Sequence, residues 1–333
     1  MHKFLPKQIN YLIVNYESDL LVDDLIHKIF QSKICLEKQV LIYSNSKLDE
    51  SLVSKWEKNE RVIFYQGLKN IGFGAACNLL AASVRTGTLV ILNPDLKLNN
   101  QNIKALERRI SSQKSGSAIH GFKMLGSDGH DYLGNHSYST DYYGYVDKGS
   151  RGAFYIEGSL MYMDIMVFEQ LDGFDDQYFM YIEDVDFCWR AQLLGLEIQE
   201  DRELVIEHVG SARASRGRVV IPTWRKFHIE KNIIRTILKN VSLIRLPHLI
   251  LIILSMQILE IIFLLTRWDW RTAAAILRAI EWNIRYLPDT LKKRREIQRK
   301  RTRKESEIKK LQTGLVPSKL KRLIQYGIPF YKL

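Results

Sequence analysis

Cysteine is scarce in this chain: 333 residues contain only Cys35, Cys77 and Cys188, and no Cys-x-x-Cys pair. Neither a disulfide framework nor a zinc knuckle is implied, and the expectation is a reduced, cytosolic compartment. The opening MHKFLPKQINYLIVNY lacks the long apolar run and the small-residue cleavage site of a signal peptide. It reads as the lead-in to a first strand. No internal repeat is visible. Acidic residues are sparse in the last third: residues 211–333 hold 28 Lys+Arg against 8 Asp+Glu, whereas residues 1–210 hold 21 against 29. The net charge of +12 therefore hides a mildly acidic front and a strongly basic back. Such a division suggests two jobs, with the basic part meeting an anionic lipid surface or a nucleic acid. The length suffices for one large domain or two modest ones.

What is present in the first hundred residues is an alternation of strand-like and helix-like text. YLIVNY (11–16), VLIYSN (40–45), RVIFYQ (61–66) and TLVILNP (88–94) are short β-rich runs. Helical spacing appears over residues 19–31 and 78–84. This pattern predicts an α/β fold with a largely parallel sheet covered by helices. Ligands of such sheets bind beyond the carboxyl ends of the strands. Those ends carry Asn15 and Tyr16, Ser44 and Asn45, Gln66 to Asn70, and Asn93 to Asp95. Residues 111–152 are polar and aperiodic and read as loops and short strands. Order returns over 153–209, and a boundary falls near 225, giving segments 1–225 and 226–333.

The back segment is helical and basic. LPHLILIILSMQILEIIFLLT (246–266) is long enough to cross a bilayer, although it contains His248, Gln257 and Glu260. The following stretch intersperses Trp268, Trp270, Trp282 and Tyr286 with Arg271, Arg278 and Arg285, the composition of an interfacial helix. Residues 292–310 then carry 11 Lys+Arg against 3 Glu. A single crossing would place that tail opposite the front segment, against the positive-inside tendency. The expectation is helices lying in or dipping into one leaflet, with the tail on anionic headgroups. A true span and an ordinary buried helix are the alternatives. The tail has little aromatic interleaving and no recognised motif, which argues against nucleic acid as the partner.

Three stretches carry chemistry. In NIGFGAACN (70–78), Gly72 and Gly74 permit close backbone approach ahead of a helix; alone this is equally a tight turn. In ILNPDLKL (91–98), Asn93 and Asp95 project at a strand end, where an oxygen-rich site suits a hard cation such as Mg²⁺ or Mn²⁺. A turn capped by Asp95 is the plainer alternative. In YFMYIEDVDFCWR (178–190), Glu183, Asp184 and Asp186 stand among five aromatic residues where a helical pattern begins. Capping and the helix dipole account for one or two acids, but not for the aromatic flank, which suits a ring-faced ligand such as a sugar.

Together with VNY (14–16), the EGS turn (157–159) and EHVG (207–210), these stretches resemble the inverting nucleotide-sugar glycosyltransferases of the GT-A fold, family GT2. They are most similar to the rhamnosyl- and galactofuranosyltransferase branch. The resemblance covers roughly residues 10–240. It implies a Rossmann-like GT-A catalytic domain over 1–225, followed by a membrane-associating helical region over 226–333. It implies that Asp95, with Asn93 beside it, holds a divalent metal (Mg²⁺ or Mn²⁺) on the donor diphosphate, and that His208 completes the metal site. Asp184 is implied as general base in a single inverting displacement. Glu183, Glu157, Gly158 and Ser159 are implied at the acceptor. Asn15, Tyr16, Asn45, Asn70, Gly72, Phe73 and Asn78 would line the donor pocket. A carboxylate at a helix N-terminus has a lowered pKa, which the reaction tolerates because the hydroxyl becomes acidic only as its bond to carbon forms.

The implied partners are a nucleotide-sugar donor, dTDP-rhamnose first and a UDP-sugar second, a glycan or lipid-linked glycan acceptor, and an anionic membrane surface. The implied setting is bacterial surface polysaccharide synthesis at the cytoplasmic side of the plasma membrane. Ser44 stands where the family commonly has an acid contacting the nucleotide base, which leaves the base open. An inactive scaffold is the competing reading, and joint retention of Asp95, Asp184 and His208 opposes it.

Overall fold

In the computed structural model, residues 8–34, 37–112, 116, 118–126, 129–131, 133–208, 214–215, 218–326 and 330–332 are described. Cys35 and the first seven residues lie outside them; Cys77 and Cys188 are buried free thiols. In chain order the first elements are β1 (Ile9–Asn15), α1 (Asp19–Gln31), β2 (Lys38–Ser44), α2 (Glu50–Trp56), β3 (Val62–Gln66) and α3 (Phe73–Ala81). Next come β4 (Thr88–Leu92), β5 (Leu96–Lys97), α4 (Asn100–Ser112), β6 (Ala118–Leu125), β7 (Ser137–Thr140) and β8 (Val146–Gly149). They are followed by β9 (Leu160–Asp164), α5 (Ile165–Gln170), α6 (Glu183–Leu193), β10 (Glu197–His208), β11 (Ala214–Ser215) and β12 (Arg218–Pro222). The remainder is α7 (Thr223–Asn240), α8 (Leu246–Thr266), α9 (Trp270–Arg285), α10 (Leu287–Lys300), α11 (Glu305–Leu311), α12 (Ser318–Tyr326) and β13 (Phe330–Lys332).

These elements form two compact units. The first takes in the chain up to Gly134, then Ile156–Phe179, then β10. Its sheet runs in the order β3-β2-β1-β4-β9-β6-β10-β5. The pairs β3–β2, β2–β1, β1–β4 and β6–β10 are parallel, and β9 is antiparallel to both β4 and β6. Leu12, Ile13, Val40, Leu41, Ile42 and the run Leu89–Leu92 are fully buried, as expected of central parallel strands covered on both faces. A charged pair is sealed in with them: Lys38 Nζ lies 2.7 Å from Glu107, whose carboxylate also accepts from Tyr11 (2.9 Å) and Ser32 (2.6 Å). Every lone pair so satisfied lowers the cost of burying that charge.

β6 falls within residues 111–152, where the sequence reads as loops and short strands without clear period. Its His120–Gly121 step has little strand propensity, yet a Cβ on Gly121 would lie 2.0 Å from Ile156 Cγ2. His120 stacks on Tyr162, with ring centroids 4.8 Å apart. Close packing at these two positions overrides the weak local preference.

The second unit comprises Asn135–Tyr155, Met180–Leu196 and the chain from β11 onward. Helix α7 is its axis, packed by α6, α8, α9 and α10. Phe154 meets Trp189 edge-on at 5.3 Å, and Phe187, Ile233 and Ile237 complete the apolar core. Part of the basic excess is structural here. Arg294 donates to the carbonyls of Leu238 and Val241, and Gln298 to those of Lys239 and Asn240, so α10 satisfies the open C-terminal end of α7. Arg235, fully buried, reaches Asp289 at 2.6 Å and Thr290 at 2.7 Å.

Candidate active site

The polar strand ends of the first unit hold each other before they could hold a ligand. Asn15 at the end of β1 donates to Ser44 (3.0 Å) at the end of β2 and to Asp19 (2.5 Å). Tyr16 beside it is exposed. Asn45 donates to Gly72 O (3.1 Å) and accepts from Ile71 N (2.9 Å), while Asn70 accepts from Gly72 N (2.8 Å). Two asparagines thus fix the glycine loop in place. Asn78 is occupied differently: it clamps Phe174 through both its backbone N (2.8 Å) and O (2.9 Å) and donates to Asp176 (2.6 Å).

Gly72 has φ +85°, and a Cβ there would stand 2.2 Å from Phe179 O. Phe73 N donates to that same carbonyl at 2.8 Å. The loop and Phe179 therefore touch backbone to backbone, which only glycine permits. Phe179 itself is left-handed (φ 64°), as are Tyr181 (φ 66°) and the β-branched Ile182 (φ 67°). Three such residues in four positions store strain of about 1–3 kcal/mol each. The strained turn delivers the chain into α6, whose first residues are Glu183 and Asp184.

The second cluster in the first unit is made by β-pairing. β5 runs antiparallel to β10 with His208 opposite Leu96, which sets His208 beside Asp95. His208 Nε2 lies 3.3 Å from Asp95 Oδ2, and Glu157 stands 3.7 Å from Nδ1. Asn93 N donates to Ser159 O (2.8 Å), tying the Asn93-Pro94-Asp95 strand end to the Glu157–Ser159 turn. Burial disfavours the imidazolium, but the Asp95 and Glu157 carboxylates outweigh it and hold His208 up at about 10. Asp95 Oδ1, His208 Nδ1 and Ser159 Oγ are buried without a hydrogen-bond partner, so the cluster is poised for a further group.

A hard divalent cation would fit this pair by displacing the imidazolium proton, since only the neutral imidazole can be a ligand. Ligand bonds of about 2.0–2.2 Å put adjacent ligands roughly 3 Å apart, close to the observed Asp95–His208 spacing. Among the described residues no group of three or more His, Cys, Asp and Glu is arranged to hold a metal. A cation on a diphosphate needs no such cage, because phosphate oxygens and water fill the other positions.

In the second unit Glu183 is buried with Oε2 lacking a partner. Burial, and then the Asp184 charge, push it up to about 8. Desolvation here reverses the lowering that the helix N-terminus alone would cause. Asp184 is half-buried and accepts from Val185 N at 2.7 Å. Asp186 is fully buried, 2.9 Å from both Lys239 and Arg190 and 3.0 Å from Asn240. It is a core anchor of α6 onto α7. Tyr178, Phe187 and Trp189 are likewise core, at most 1% exposed, so the aromatic flank is chiefly packing and only Phe179 and Tyr181 reach the surface.

The sequence reading missed the support for the strained turn. Asn232 of α7 donates to the carbonyls of Met180 (2.9 Å) and Tyr181 (2.7 Å). Arg225 lies 4.6 Å over the Tyr181 ring, and Trp224 packs on it at 5.8 Å. The signal was the aromatic and basic spacing of TWRKFHIEKN (223–232), hidden inside an ordinary amphipathic helix.

No family model matches the sequence. A low-salt glycan biosynthesis hexosyltransferase, Agl10 of Haloferax volcanii, is 23% identical over 205 residues, covering 57% of this chain and 63% of that protein. GalNAc-T7, crystallised with UDP, GalNAc and Mn²⁺, superposes with a TM-score of 0.51 at 12% identity, over 70% of this chain and 48% of that one. TarS residues 1–349 of S. aureus give 0.51 at 15% identity, over 73% and 68%. The mannosyltransferase PcManGT of Pyrobaculum calidifontis, bound to GDP-Man and Mn²⁺, gives 0.51 at 12%, over 92% and 86%. The fold is GT-A. The chain thus spans less than two thirds of Agl10 and about half of the GalNAc-T7 chain. In GT-A terms the glycine loop and the Asp95–His208 pair lie in the sheet-bearing unit, and Glu183 and Asp184 open the first helix of the other.

Proposed function

We propose that the protein is a glycosyltransferase that moves a hexose from a nucleotide-sugar donor to a hydroxyl of a glycan or lipid-linked glycan. The observation that carries this reading is the Asp95–His208 pair, 3.3 Å apart, with a buried Asp95 oxygen awaiting a partner on a GT-A sheet. Asp95 and His208 would hold a divalent cation, Mg²⁺ or Mn²⁺, which when bound neutralises charge on the departing diphosphate. Asn93 and the Asn70–Asn78 loop, including Gly72 and Phe73, would bound the donor, with Asn15, Tyr16 and Asn45 nearby in sequence to the strand ends. Glu157, Gly158, Ser159 and Glu183 would meet the acceptor.

The reaction follows from the chain's own groups. The acceptor oxygen attacks the anomeric carbon while the bond from that carbon to the diphosphate oxygen breaks, with inversion. The hydroxyl proton passes to the Asp184 carboxylate, and the electron pair leaves with the nucleotide. Burial, and then the neighbouring Asp184 charge, push the Glu183 carboxyl up, so of the two neighbours Asp184 is the one assigned the base role. General base catalysis of this kind typically contributes about 10²–10⁴-fold.

The finer reading is an inverting GT2 enzyme of the rhamnosyltransferase branch, using dTDP-rhamnose in bacterial surface polysaccharide synthesis. It would work at the cytoplasmic face of the membrane, with catalysis in 1–225 and membrane association in 226–333. Its motive is the ordered set NIGFGAACN, LNPD, EGS, YIEDVD and EHVG. A UDP-galactofuranose or other hexose donor is the second choice, because Ser44 occupies the base-contacting position. The test is transfer from dTDP-, UDP- and GDP-sugars with Mn²⁺, using the wild type and Asp184→Asn. We expect transfer with one donor class, abolished in Asp184→Asn while nucleotide binding persists. Wild-type rates in Asp184→Asn would remove the base assignment, and no turnover with any donor would favour a scaffold.

A further inference from the structure

Helix α8 is a strongly apolar segment, and only 28% of its apolar stretch is buried against the protein. By length and composition it could cross a bilayer. Its two faces argue otherwise. The buried positions are Leu249, Ile253, Gln257, Ile261 and Leu264, a single stripe at helical spacing. The two groups that hydrocarbon would penalise most, Gln257 and Glu260, belong to this side and are already satisfied. Gln257 donates to Glu230 at 2.8 Å, and Glu260 pairs with Lys226 at 2.8 Å and with Lys319. Glu230 in turn accepts from Tyr145 (3.1 Å) and pairs with Lys226 (2.5 Å). This buried network ties α8 to α7, to α12 and to the residue preceding β8.

The opposite face is largely aliphatic, with His248 near its start and Ser255 within it as exposed polar residues. Leu251, Ile258, Leu259, Ile262 and Leu265 are each 52–67% exposed, and Trp268 and Trp270 follow at 90% and 60%. Scattered exposed leucines need no explanation, but a continuous row of this kind marks an interaction surface. Arg267, Arg271, Arg278 and Arg285 accompany the tryptophans, the pairing of aromatic and basic residues that suits an anionic headgroup layer.

We infer that α8 is an in-plane anchor: its Leu251–Leu265 face enters one leaflet of an anionic membrane, and its Gln257–Glu260 face stays on the protein. A crossing orientation would need α8 to leave its partners, or to draw α7 with it. Helix α7 buries Lys226, Glu230, Lys231, Arg235 and Lys239, and each charge at the bilayer centre is costly. The in-plane orientation leaves the network intact and puts mainly apolar side chains in lipid, Ser255 being the polar exception on that face. It deepens the proposed function, on which its biological sense rests, because an enzyme of lipid-linked acceptors is served by lying on the leaflet that carries them.

The experiment uses the full chain with preformed vesicles of phosphatidylcholine alone or with anionic phosphatidylglycerol. Wild type should sediment with the anionic vesicles and at least tenfold less with the neutral ones. Leu259→Glu/Ile262→Glu should lose that binding at least tenfold while keeping its melting temperature and its transfer to a soluble acceptor. Cysteines introduced one at a time as Leu243→Cys and Trp268→Cys, flanking α8, should each react with a membrane-impermeant maleimide added outside, above the wild-type background of Cys35, Cys77 and Cys188. Protection of one end alone would overturn the inference in favour of a span. No vesicle binding, or a wild-type dimer that the double substitution converts to monomers, would also overturn it, the latter assigning the face to a second copy. Vesicle binding by a protein that transfers no sugar would leave the anchor standing and remove the proposed function.

Discussion

Replacing Gly72 by alanine tests whether the glycine loop and the strained turn form one device. Alanine at φ +85° carries the left-handed penalty of about 1–2 kcal/mol. Its Cβ would also lie 2.2 Å from Phe179 O and 2.7 Å from Phe179 C and Cα. These are backbone atoms and cannot swing aside, so the loop and the turn must separate. Separation breaks the Phe73 N to Phe179 O bond, worth about 0.5–1.5 kcal/mol. The total is roughly 1.5–3.5 kcal/mol, and at about 2–4 °C per kcal/mol for a unit of this size the melting temperature should fall by on the order of 3–14 °C. Displacing Phe179 moves the residues that lead into Glu183 and Asp184, and a shift of about 1 Å can cost about 10²-fold in turnover. Gly129→Ala is the control: its φ is +72°, but nothing lies within 4 Å of the added carbon, so only the backbone penalty applies. Thermal unfolding of both variants, with transfer assays, reads the difference. A Gly72→Ala protein no less stable than Gly129→Ala would refute the close-approach argument.

Three further outcomes follow from the same geometry. Asp186→Ala strips a buried carboxylate from Lys239, Arg190 and Asn240 and should destabilise by about 3–5 kcal/mol in urea unfolding; a loss under 1 kcal/mol would contradict its role as anchor. Asp95→Asn should weaken the Mn²⁺ dependence of nucleotide-sugar binding by more than the roughly 10–100-fold that loss of a mere supporting residue costs a metal site, read by titration calorimetry with and without the ion. Glu183, held near 8 against an ordinary 4.5, binds its proton more tightly folded than unfolded. Its contribution is therefore fully present below about pH 4.5 and is lost as pH rises through 8. The stability of wild type relative to Glu183→Gln should fall across that window, and a rise would reverse the assignment.

Strands β1 to β4 and helix α1 were legible because apolar runs buried on both faces, separated by helical spacing, leave few other arrangements. The ends of those strands, and hence the candidate donor side, followed from the same pattern. β6 was legible only as one of the short strands expected somewhere in 111–152, since its place rests on Gly121 meeting Ile156 and His120 stacking on Tyr162, contacts between residues far apart in the chain. The acid cluster shows the same limit at one site. Glu183, Asp184 and Asp186 are similar in sequence, but burial raises the first, the second stays half-exposed, and two cations and an amide claim the third.

Alone, then, the sequence determined the α/β class, the order of the chemical stretches and the apolar and basic character of the back region, because these depend on local periodicity and composition. The tertiary structure supplied the β5–β10 register that sets His208, already paired with Asp95 by resemblance, beside it. Only the tertiary structure decided that Phe179 closes on Gly72 and that Gln257 and Glu260 turn inward from a largely apolar helix. Each of those depends on register or burial, and neither is set until distant segments pack.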